Sequence, residues 1–303
     1  MSTDHLAELI GESPALAALR DRVRRMIARQ ATARRPRPIL IVGETGTGKG
    51  LLAQAIHRSG PRAEAAFVPV NCAAIPESLF EAELFGFERG AFTDARQAKA
   101  GLLETAHRGT LFLDEVGLMA GALQGKLLDV LETGAVRRLG STRNQNVDVW
   151  LLAASNLDLA GAVRAGRFRE DLYHRLAVLT VRLPPLRERD GDAVLLAERF
   201  LGEACAAAGA GAKRLSADAR DALRRYPWPG NVRELRNVMD SVATLAEGAV
   251  VTASDLALPP DPPSVAEPRA ARRPRPEPSP SPAAPHAPDG GDAAPRARPR
   301  EET

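Results

Sequence analysis

One segment constrains the fold of this chain more than any other. Residues 39–42 are apolar (ILIV), residues 43–50 are GETGTGKG, and the sequence that follows is typical of a helix. A glycine-rich loop between a strand and a helix lets backbone N–H groups converge on phosphate oxygens. The pattern predicts a phosphate-binding loop (P-loop) with Lys49 at the β- and γ-phosphates; a chance match is the alternative. The members of this P-loop are Gly43, Glu44, Thr45, Gly46, Thr47, Gly48, Lys49 and Gly50.

Position 50 departs from the usual P-loop pattern, in which Ser or Thr binds the metal. Because this chain has Gly50, Mg²⁺ must rely on the nucleotide, water and a carboxylate from elsewhere. The segment TLFLDE at 110–115 offers that carboxylate, since an apolar strand ends there in Asp114 and Glu115. We expect Asp114 to hold Mg²⁺ and Glu115 to orient and polarise the attacking water. Two adjacent acids could instead simply begin a loop.

Short apolar runs alternate with helical patterns through the first part of the chain, which predicts an α/β domain. The runs are almost continuously apolar, so we expect a parallel sheet that is covered on both faces. The predicted strands are 39–42, 67–72, 110–116, 147–154 and 177–183, and the predicted helices are 13–29, 48–59, 100–106 and 121–132.

The composition changes twice along the rest of the chain. After Pro184-Pro185 the strand signal stops, and three helical patterns follow near 190–207, 216–226 and 231–247. Residues 259–303 contain 14 prolines and no aromatic residue, so they lack the apolar surface needed to offset the entropy of ordering. We predict an α/β subdomain at 1–185, a helical subdomain at 186–258 and a disordered tail at 259–303. A partner-binding segment is the alternative for the tail.

Composition also excludes several classes of protein. No apolar run approaches the ~18 residues that a membrane span needs, and the N-terminal sequence lacks the features of a secretory signal. The two cysteines have no metal-ligand spacing, which argues against a zinc site or a disulfide scaffold. The net charge of +3 is too small to indicate nucleic-acid binding by itself. We expect a cytoplasmic protein with reduced thiols and no membrane partner.

The segment GFERGAFTDARQAKAGLLETAHRGTLFLDE at 86–115, together with GETGTGKG, resembles the AAA+ domain of bacterial enhancer-binding proteins. These ATPases activate RNA polymerase that carries sigma-54. The similarity extends from LIGESPAL at 9–16 to about Leu256. The resemblance implies a doubly wound parallel sheet with a C-terminal helical lid, and ATP and Mg²⁺ as cofactors. It also implies a homo-hexameric ring with shared ATP sites, and sigma-54 with its polymerase holoenzyme as partners.

The sequence GAFTDA at 90–95 resembles the GAFTGA loop with which the family engages sigma-54. Phe92 is a large apolar residue in a loop of small ones, and an exposed aromatic at a loop tip is typical of a protein contact. The alternative is that Phe92 packs inward. Asp94 stands where the family has glycine; it tolerates a left-handed turn but adds a negative charge. The loop comprises Gly90, Ala91, Phe92, Thr93, Asp94 and Ala95.

Two asparagines follow predicted strands. Asn71, in VNCAA, resembles the residue that holds the Walker B glutamate, which is Glu115 in this chain, in a way that depends on the nucleotide state. Asn156, in LLAASN, resembles the sensor-I residue near the γ-phosphate. An asparagine that forms a turn at the end of a strand is the alternative in both places.

Three arginines also match family motifs. Arg169 and Arg175 lie in FREDLYHRL, which resembles the arginine-finger segment that reaches into the neighbouring subunit's site. A guanidinium group suits that role because it stays charged and presents a planar fork to phosphate oxygens. Arg233, in WPGNVRELRN, resembles the sensor-II arginine that links the lid to the nucleotide. The alternative is solvated surface, since the chain has 37 arginines.

Our leading hypothesis is an ATP-hydrolysing activator that remodels the sigma-54 polymerase closed complex. The alternative is a nucleotide-binding regulatory AAA+ protein that no longer engages sigma-54, because position 94 is altered and no DNA-binding domain is evident. A small-molecule kinase is a weaker third hypothesis, since nothing resembles an acceptor site. Family members commonly end in a DNA-binding helix-turn-helix. No helical pattern after Leu258 could enter a major groove, so we predict no direct sequence-specific DNA binding.

Overall fold

The computed structural model describes residues 4–33, 35–92 and 95–259, apart from the side chains of residues 77 and 78. The segment predicted as a disordered tail lies outside the described residues except for Pro259, and Thr93 and Asp94 of the 90–95 loop lie outside them as well. Within the described ranges, no helix is both long and apolar enough to pass through a bilayer.

The elements have the following bounds. The strands are β1 (Ile39–Val42), β2 (Phe67–Asn71), β3 (Gly86–Phe87), β4 (Lys99–Ala100), β5 (Thr110–Asp114), β6 (Ala135–Arg137), β7 (Asn144–Asn146), β8 (Trp150–Ser155), β9 (Leu179–Arg182), β10 (Arg214–Leu215) and β11 (Val250–Val251). The α-helices are α1 (Pro14–Ala31), α2 (Lys49–Arg58), α3 (Glu77–Phe85), α4 (Leu102–Thr105), α5 (Gly121–Thr133), α6 (Leu159–Arg164), α7 (Glu170–Leu176), α8 (Asp192–Ala207), α9 (Ala217–Arg225) and α10 (Asn231–Leu245).

A five-stranded parallel sheet lies at the centre of the α/β part, in the order β2-β5-β8-β1-β9. Successive residues of a strand face opposite sides of a sheet, and both sides are covered here. Leu40 of β1 packs in a core with α3 to α7, whereas Ile39 and Ile41 pack in a second core with α1 and α2. The predicted doubly wound parallel sheet is confirmed.

Several predicted elements have different bounds in the structure. The strand predicted at 110–116 ends at Asp114, because Glu115 adopts a left-handed conformation with φ of 54° and a 3₁₀ turn follows. The strand predicted at 147–154 runs from Trp150 to Ser155. The helix predicted at 100–106 covers only α4, since Lys99 and Ala100 pair with β3.

No sequence pattern predicts α3, α6 or the antiparallel pairs β3–β4 and β6–β7. Helix α3 (ESLFEAELF) has apolar residues around much of its circumference and so lacks a clear helical period. Each antiparallel pair is only two or three residues long, too short for an alternating pattern. Also unexpected is the two-residue parallel pair β10–β11, which lies beyond the point where the strand signal stops.

The C-terminal part of the described chain is a helical lid with its own core. One face of α10 packs against α8, and Leu235, Met239 and Val242 are buried there. Leu245, the last residue of the helix, is 74% exposed. The helical lid that the sequence predicts is present.

A short segment at the N-terminus, residues 9–13, is bound to the lid; we call it the strap. The buried carboxylate of Asp192 accepts hydrogen bonds from the Ser13 N–H and hydroxyl, at 3.0 and 2.9 Å. Arg189 pairs with the same carboxylate at 2.9 Å. Gly11 has a φ of +147°, and a Cβ there would lie 2.2 Å from an Asp192 oxygen. The strap therefore contacts the lid, although the whole sheet separates them in sequence, and Leu9 at its start packs in the core with α1 and α2.

Candidate functional site

The P-loop connects β1 to α2 at the carboxyl edge of the sheet. The Gly43 N–H donates to the Ser155 carbonyl of the adjacent strand at 3.2 Å, and the Thr47 hydroxyl donates to the Glu44 carbonyl at 2.8 Å. Gly48 has a φ of +103°, a conformation that residues with a side chain rarely adopt. The loop thus leads from a buried strand into the first turn of a helix, where backbone N–H groups lack partners within the helix.

Lys49 is the first residue of α2, and only 6% of its surface is exposed. Its Nζ donates to the carbonyls of Gly43 and Glu44 at 3.1 and 3.2 Å, and it lies 3.8 Å from Oε1 of Glu115. Burial lowers the pKa of Lys49, whereas the carboxylates of Glu115 and Asp114 act in the opposite direction. The lysine is therefore a cation held inside the P-loop by oxygen atoms, at the place where phosphate oxygens could replace them.

The side chain of Glu115, which follows β5, binds Asn156, which follows the adjacent strand β8. Its Oε2 accepts from the Asn156 backbone N–H at 3.4 Å, and the Asn156 amide donates to the Thr45 hydroxyl at 2.9 Å. The left-handed conformation of Glu115 is uncommon for a residue with a side chain, and such strain concentrates at functional sites. The structure brings Lys49, Glu115, Asn156 and the P-loop into one polar group, as the motifs predict.

A cavity of about 380 Å³ lies between the P-loop, the end of β5 and the lid. It combines a buried lysine, two carboxylates and lid arginines, which suits an anionic ligand accompanied by a cation. The backbone N–H of Arg233 donates to the Gly46 carbonyl at 3.3 Å, so the lid contacts the loop directly. The cavity is lined by Thr45, Gly46, Gly48, Lys49, Gly50, Leu51, Asp114, Glu115, Val232, Arg233 and Arg236.

A second cavity of about 280 Å³ adjoins the first and shares part of its lining. Ile10 of the strap, Leu51 of α2 and Phe200 of the lid contribute apolar walls. The guanidinium of Arg236 lies 4.5 Å from the centre of the Phe200 ring. No motif in the sequence predicts this pocket, because its apolar residues come from three distant segments.

The Asn71 side chain forms a local turn. Its Oδ1 accepts a hydrogen bond from the Ala73 N–H at 2.8 Å. Asn71 lies beside Asp114 in the register of β2 and β5, but among the described residues no hydrogen bond joins Asn71 to Glu115. In this structure the Asn71 side chain therefore forms the strand-end turn, which was the alternative interpretation of its sequence.

Arg169 and Arg175 lie outside both of these cavities. Arg169 forms an exposed pair with Asp171 at 2.7 Å. Arg175 donates to the Leu131 carbonyl at 2.8 Å and lines another cavity with Arg35 and residues that precede β8 and β9. Neither arginine lines the Lys49 cavity of its own chain.

The described part of the 90–95 loop is a tight turn with an exposed aromatic. The N–H of Gly90 donates to the Ala95 carbonyl at 2.8 Å, and Phe92 is 41% exposed with its edge against Phe87. The β6–β7 hairpin supports the base of this loop, since Leu139 exchanges backbone hydrogen bonds with residues of the β3 segment. Phe92 is thus displayed on the surface and not packed inward.

A family model described as Sigma-54 interaction domain matches residues 9–182, and one described as AAA+ ATPase lid domain matches residues 187–271. The chain is 48% identical over 250 residues to the response regulator protein PilR of Pseudomonas aeruginosa, covering 82% of this chain and 55% of that protein. It is 49% identical over 250 residues to a Nif-specific regulatory protein of Azorhizobium caulinodans, covering 82% of this chain and 39% of that protein. The chain spans about half the length of these relatives.

Solved structures of NtrX from Brucella abortus share the fold. The complex of NtrX with ATP matches with a TM-score of 0.74 and 36% identity, covering 85% of this chain and 60% of that one. The complex with ADP matches with a TM-score of 0.73 and 37% identity, covering 81% of this chain and 54% of that one. On the strength of the sheet, the lid and these matches, the chain belongs to the family of sigma-54 interaction domains, which are AAA+ ATPase domains.

Proposed function

We propose that this chain hydrolyses ATP to remodel the sigma-54 RNA polymerase closed complex, and thereby allows transcription to start. The observation that carries the proposal is the position of Glu115. Its carboxylate lies between Lys49 of the P-loop and the strand end that bears Asn156, at the edge of one cavity. A carboxylate next to a phosphate-binding lysine can polarise water for attack on a phosphate.

We assign the cavity around Lys49 to the phosphates of ATP. The P-loop N–H groups and Lys49 would bind the β- and γ-phosphates, and Arg233 of the lid would contribute a further cation. The adjoining apolar pocket would hold the base, since Ile10, Leu51 and Phe200 offer flat or aliphatic surface. NtrX, a relative by structure, has been solved with ATP and with ADP.

The residues present fit a magnesium ion that arrives with the nucleotide. Mg²⁺ in proteins is commonly bound by one or two carboxylates together with phosphates and water. Asp114 lies on the cavity wall and supplies such a carboxylate, whereas Gly50 supplies no donor. When bound, the ion would neutralise charge on the phosphates. The protein's own contribution would be to hold the nucleotide, orient water at Glu115 and exclude bulk solvent.

We further propose that the active form is a homo-hexameric ring. Arg169 and Arg175 lie away from the ATP cavity of their own chain and would complete the site of a neighbour. Asn156 would sense the γ-phosphate. Asn71 would exchange its turn for a hydrogen bond to Glu115 when the nucleotide state changes, and so report hydrolysis to the rest of the ring.

The 90–95 loop would engage sigma-54. The partly exposed ring of Phe92 supports this role, because it offers apolar area on a loop that carries no phosphate-binding group. We propose residues 1–185 as the ATPase subdomain and 186–258 as the lid, acting together in the bacterial cytoplasm where transcription occurs.

The decisive experiment mixes the purified protein and ATP with a sigma-54 closed complex on promoter DNA, and follows DNA opening by permanganate footprinting. We expect opening with ATP and none with ADP. ATP hydrolysis without opening would favour the regulatory AAA+ alternative, which the replacement of glycine by Asp94 supports.

A further inference from the structure

Asn231 is the first residue of α10 and has no exposed surface. Its side chain binds three groups, none of which is close in sequence. The Oδ1 accepts from the Leu186 N–H at 2.8 Å, and the Nδ2 donates to Oε2 of Glu44 at 3.1 Å and to the Thr45 carbonyl at 3.0 Å. One buried amide therefore joins the lid, the segment that enters the lid and the P-loop.

Arg187, which lies in the segment that enters the lid, also binds the carboxylate of Glu44. The two guanidinium nitrogens of Arg187 lie 2.8 and 2.6 Å from the two carboxylate oxygens. Arg187 holds the pKa of Glu44 below its ordinary value; burial acts against this shift, and Asn231 contributes to it. Glu44 thus stays ionised, and its oxygens point to the lid.

The backbones of the two segments also meet. A Cβ on Gly46 would lie 2.1 Å from the Gly230 carbonyl oxygen, so only glycine fits at position 46. The turn that carries Asn231 contains two left-handed residues with side chains, Trp228 at φ 51° and Asn231 at φ 54°. The buried Trp228 indole N–H donates to the Leu223 carbonyl at 2.9 Å and anchors the turn to the lid core. A strained turn persists only where its surroundings fix it.

We propose that Asn231 is a positioning residue that fastens the P-loop to the lid, so that the nucleotide-binding shape of the loop and the position of the lid are set together. Asn231 lines neither of the two cavities beside the P-loop, so it acts through Glu44 and Thr45. The inference rests on the proposed function in one respect, the assignment of the nucleotide to this loop. It predicts that nucleotide affinity depends on a side chain that never touches the nucleotide.

The chemistry of the amide makes the proposal specific. Asn231→Gly removes all three hydrogen bonds and tolerates the left-handed backbone. Asn231→Asp keeps the size and the acceptor but places a carboxylate against Glu44, where a donor is needed. We expect affinity to fall in the order wild type, Asn231→Gly, Asn231→Asp. Asn231→Asp combined with Glu44→Gln exchanges amide and carboxylate, and should recover part of the affinity that Asn231→Asp loses.

The control is Tyr226→Phe. Tyr226 is buried in the same part of the lid, and its hydroxyl donates to Glu234 at 3.0 Å without contacting the P-loop. This variant also loses a polar contact of the lid but keeps the link between lid and loop. Any effect that it shares with Asn231→Gly is due to general weakening of the lid.

Two measurements test the proposal. Amide hydrogen exchange of residues 43–50 in nucleotide-free protein should be faster in Asn231→Gly than in wild type and unchanged in Tyr226→Phe. Calorimetry should give an ADP affinity about tenfold weaker in Asn231→Gly, the effect of losing a hydrogen bond to a charged group. The KM for ATP should rise in parallel, while kcat changes by less than about threefold.

The outcomes separate this inference from the proposed function. Wild-type exchange and affinity in Asn231→Gly would overturn the inference, and so would an equal loss in Tyr226→Phe. An Asn231→Asp variant that binds ADP better than Asn231→Gly would overturn it as well. If wild-type protein binds no nucleotide, the proposed function is wrong, and the exchange measurement still decides whether Asn231 fastens the loop.

Discussion

The ammonium group of Lys49 lies 3.8 Å from the Glu115 carboxylate, and both side chains are largely shielded from water. A phosphate that enters the P-loop would bind the lysine and leave the glutamate free to act on water. Phosphate binding by Lys49 and activation of water by Glu115 can therefore be tested separately.

Replacing Lys49 by alanine should abolish tight ATP binding. The ammonium group is the buried cation of the P-loop, and its loss removes charged hydrogen bonds to phosphate that together are worth about 100-fold in affinity. The thermal unfolding midpoint should stay within about 5 °C of wild type, since the loss of the ammonium group also removes the cost of burying a charge. The control is Lys126→Ala, because Lys126 is exposed and remote from the cavity. Calorimetric titration with ATP measures the effect, and wild-type affinity in Lys49→Ala would remove this loop from the mechanism.

Replacing Glu115 by glutamine should leave ATP binding intact and slow hydrolysis by about 100-fold or more. Glutamine keeps the size and can still accept the Asn156 N–H, but it cannot take a proton from water. Steady-state phosphate release and nucleotide affinity should be measured on the same preparation. Turnover near the wild-type rate would assign the base to another group.

Gly50 offers a test of the magnesium assignment. A Cβ at this position would lie 3.9 Å from the Phe112 ring, so a small side chain fits without rearrangement. Gly50→Ser adds a hydroxyl on the cavity wall and should lower the Mg²⁺ concentration for half-maximal ATPase activity about fivefold. Gly50→Ala is the matched control, because it adds the same Cβ without a hydroxyl. Identical Mg²⁺ curves for the two variants would show that position 50 does not face the ion.

Specific ATPase activity should rise with protein concentration, since each site needs arginines from a neighbour. Arg169→Ala and Arg175→Ala should each lower turnover by about 10³-fold, with a smaller effect on ATP affinity. Arg164→Ala is the control, because Arg164 is exposed nearby and pairs only with Asp158 among the described residues. Light scattering gives the oligomeric state in parallel. A constant rate from a monodisperse monomer would contradict the shared site.

Phe92→Ala should retain most ATPase activity and lose binding to sigma-54. The ring offers apolar area worth about 2–3 kcal/mol when buried against a partner. Leu245→Ala, which removes a more exposed apolar side chain from the lid, should have no effect on either activity. Co-migration with sigma-54 in the presence of ADP and aluminium fluoride is the measurement.

Asp94→Gly restores the family's residue and should keep or improve sigma-54 binding by removing a negative charge. Equal binding by Phe92→Ala and wild type would show that the loop is not the contact. Binding by Asp94→Gly together with failure of the wild type would identify the chain as a regulatory relative that has lost the activity.

The sequence was sufficient to predict the parts of the molecule that depend on local pattern. The P-loop, the acid pair after β5 and the five sheet strands are each encoded within about ten residues, and the structure contains them all. The order of the strands follows from contacts between distant segments, and neither periodicity nor composition carries that information.

The parts that sequence reasoning missed share a long-range origin. Asn231 and Glu44 are 187 residues apart, and each lies in a segment with its own motif, but neither motif predicts a contact between the two side chains. The apolar pocket beside the P-loop likewise takes Ile10, Leu51 and Phe200 from three regions of the chain. Only folding brings these side chains together, so no local motif predicts their contacts.

The strap has a consequence for anyone who exchanges parts between relatives of this chain. A fragment that begins at Pro14 keeps the P-loop, the acid pair and the arginine motifs, yet it lacks Ile10 and leaves the carboxylate of the buried Asp192 with Arg189 as its remaining partner among the described residues. The strap thus contributes contacts that the lid needs, although Leu9 at its start packs in the core with α1 and α2. A chimera that takes its lid from a different activator should take residues 9–13 from the same donor.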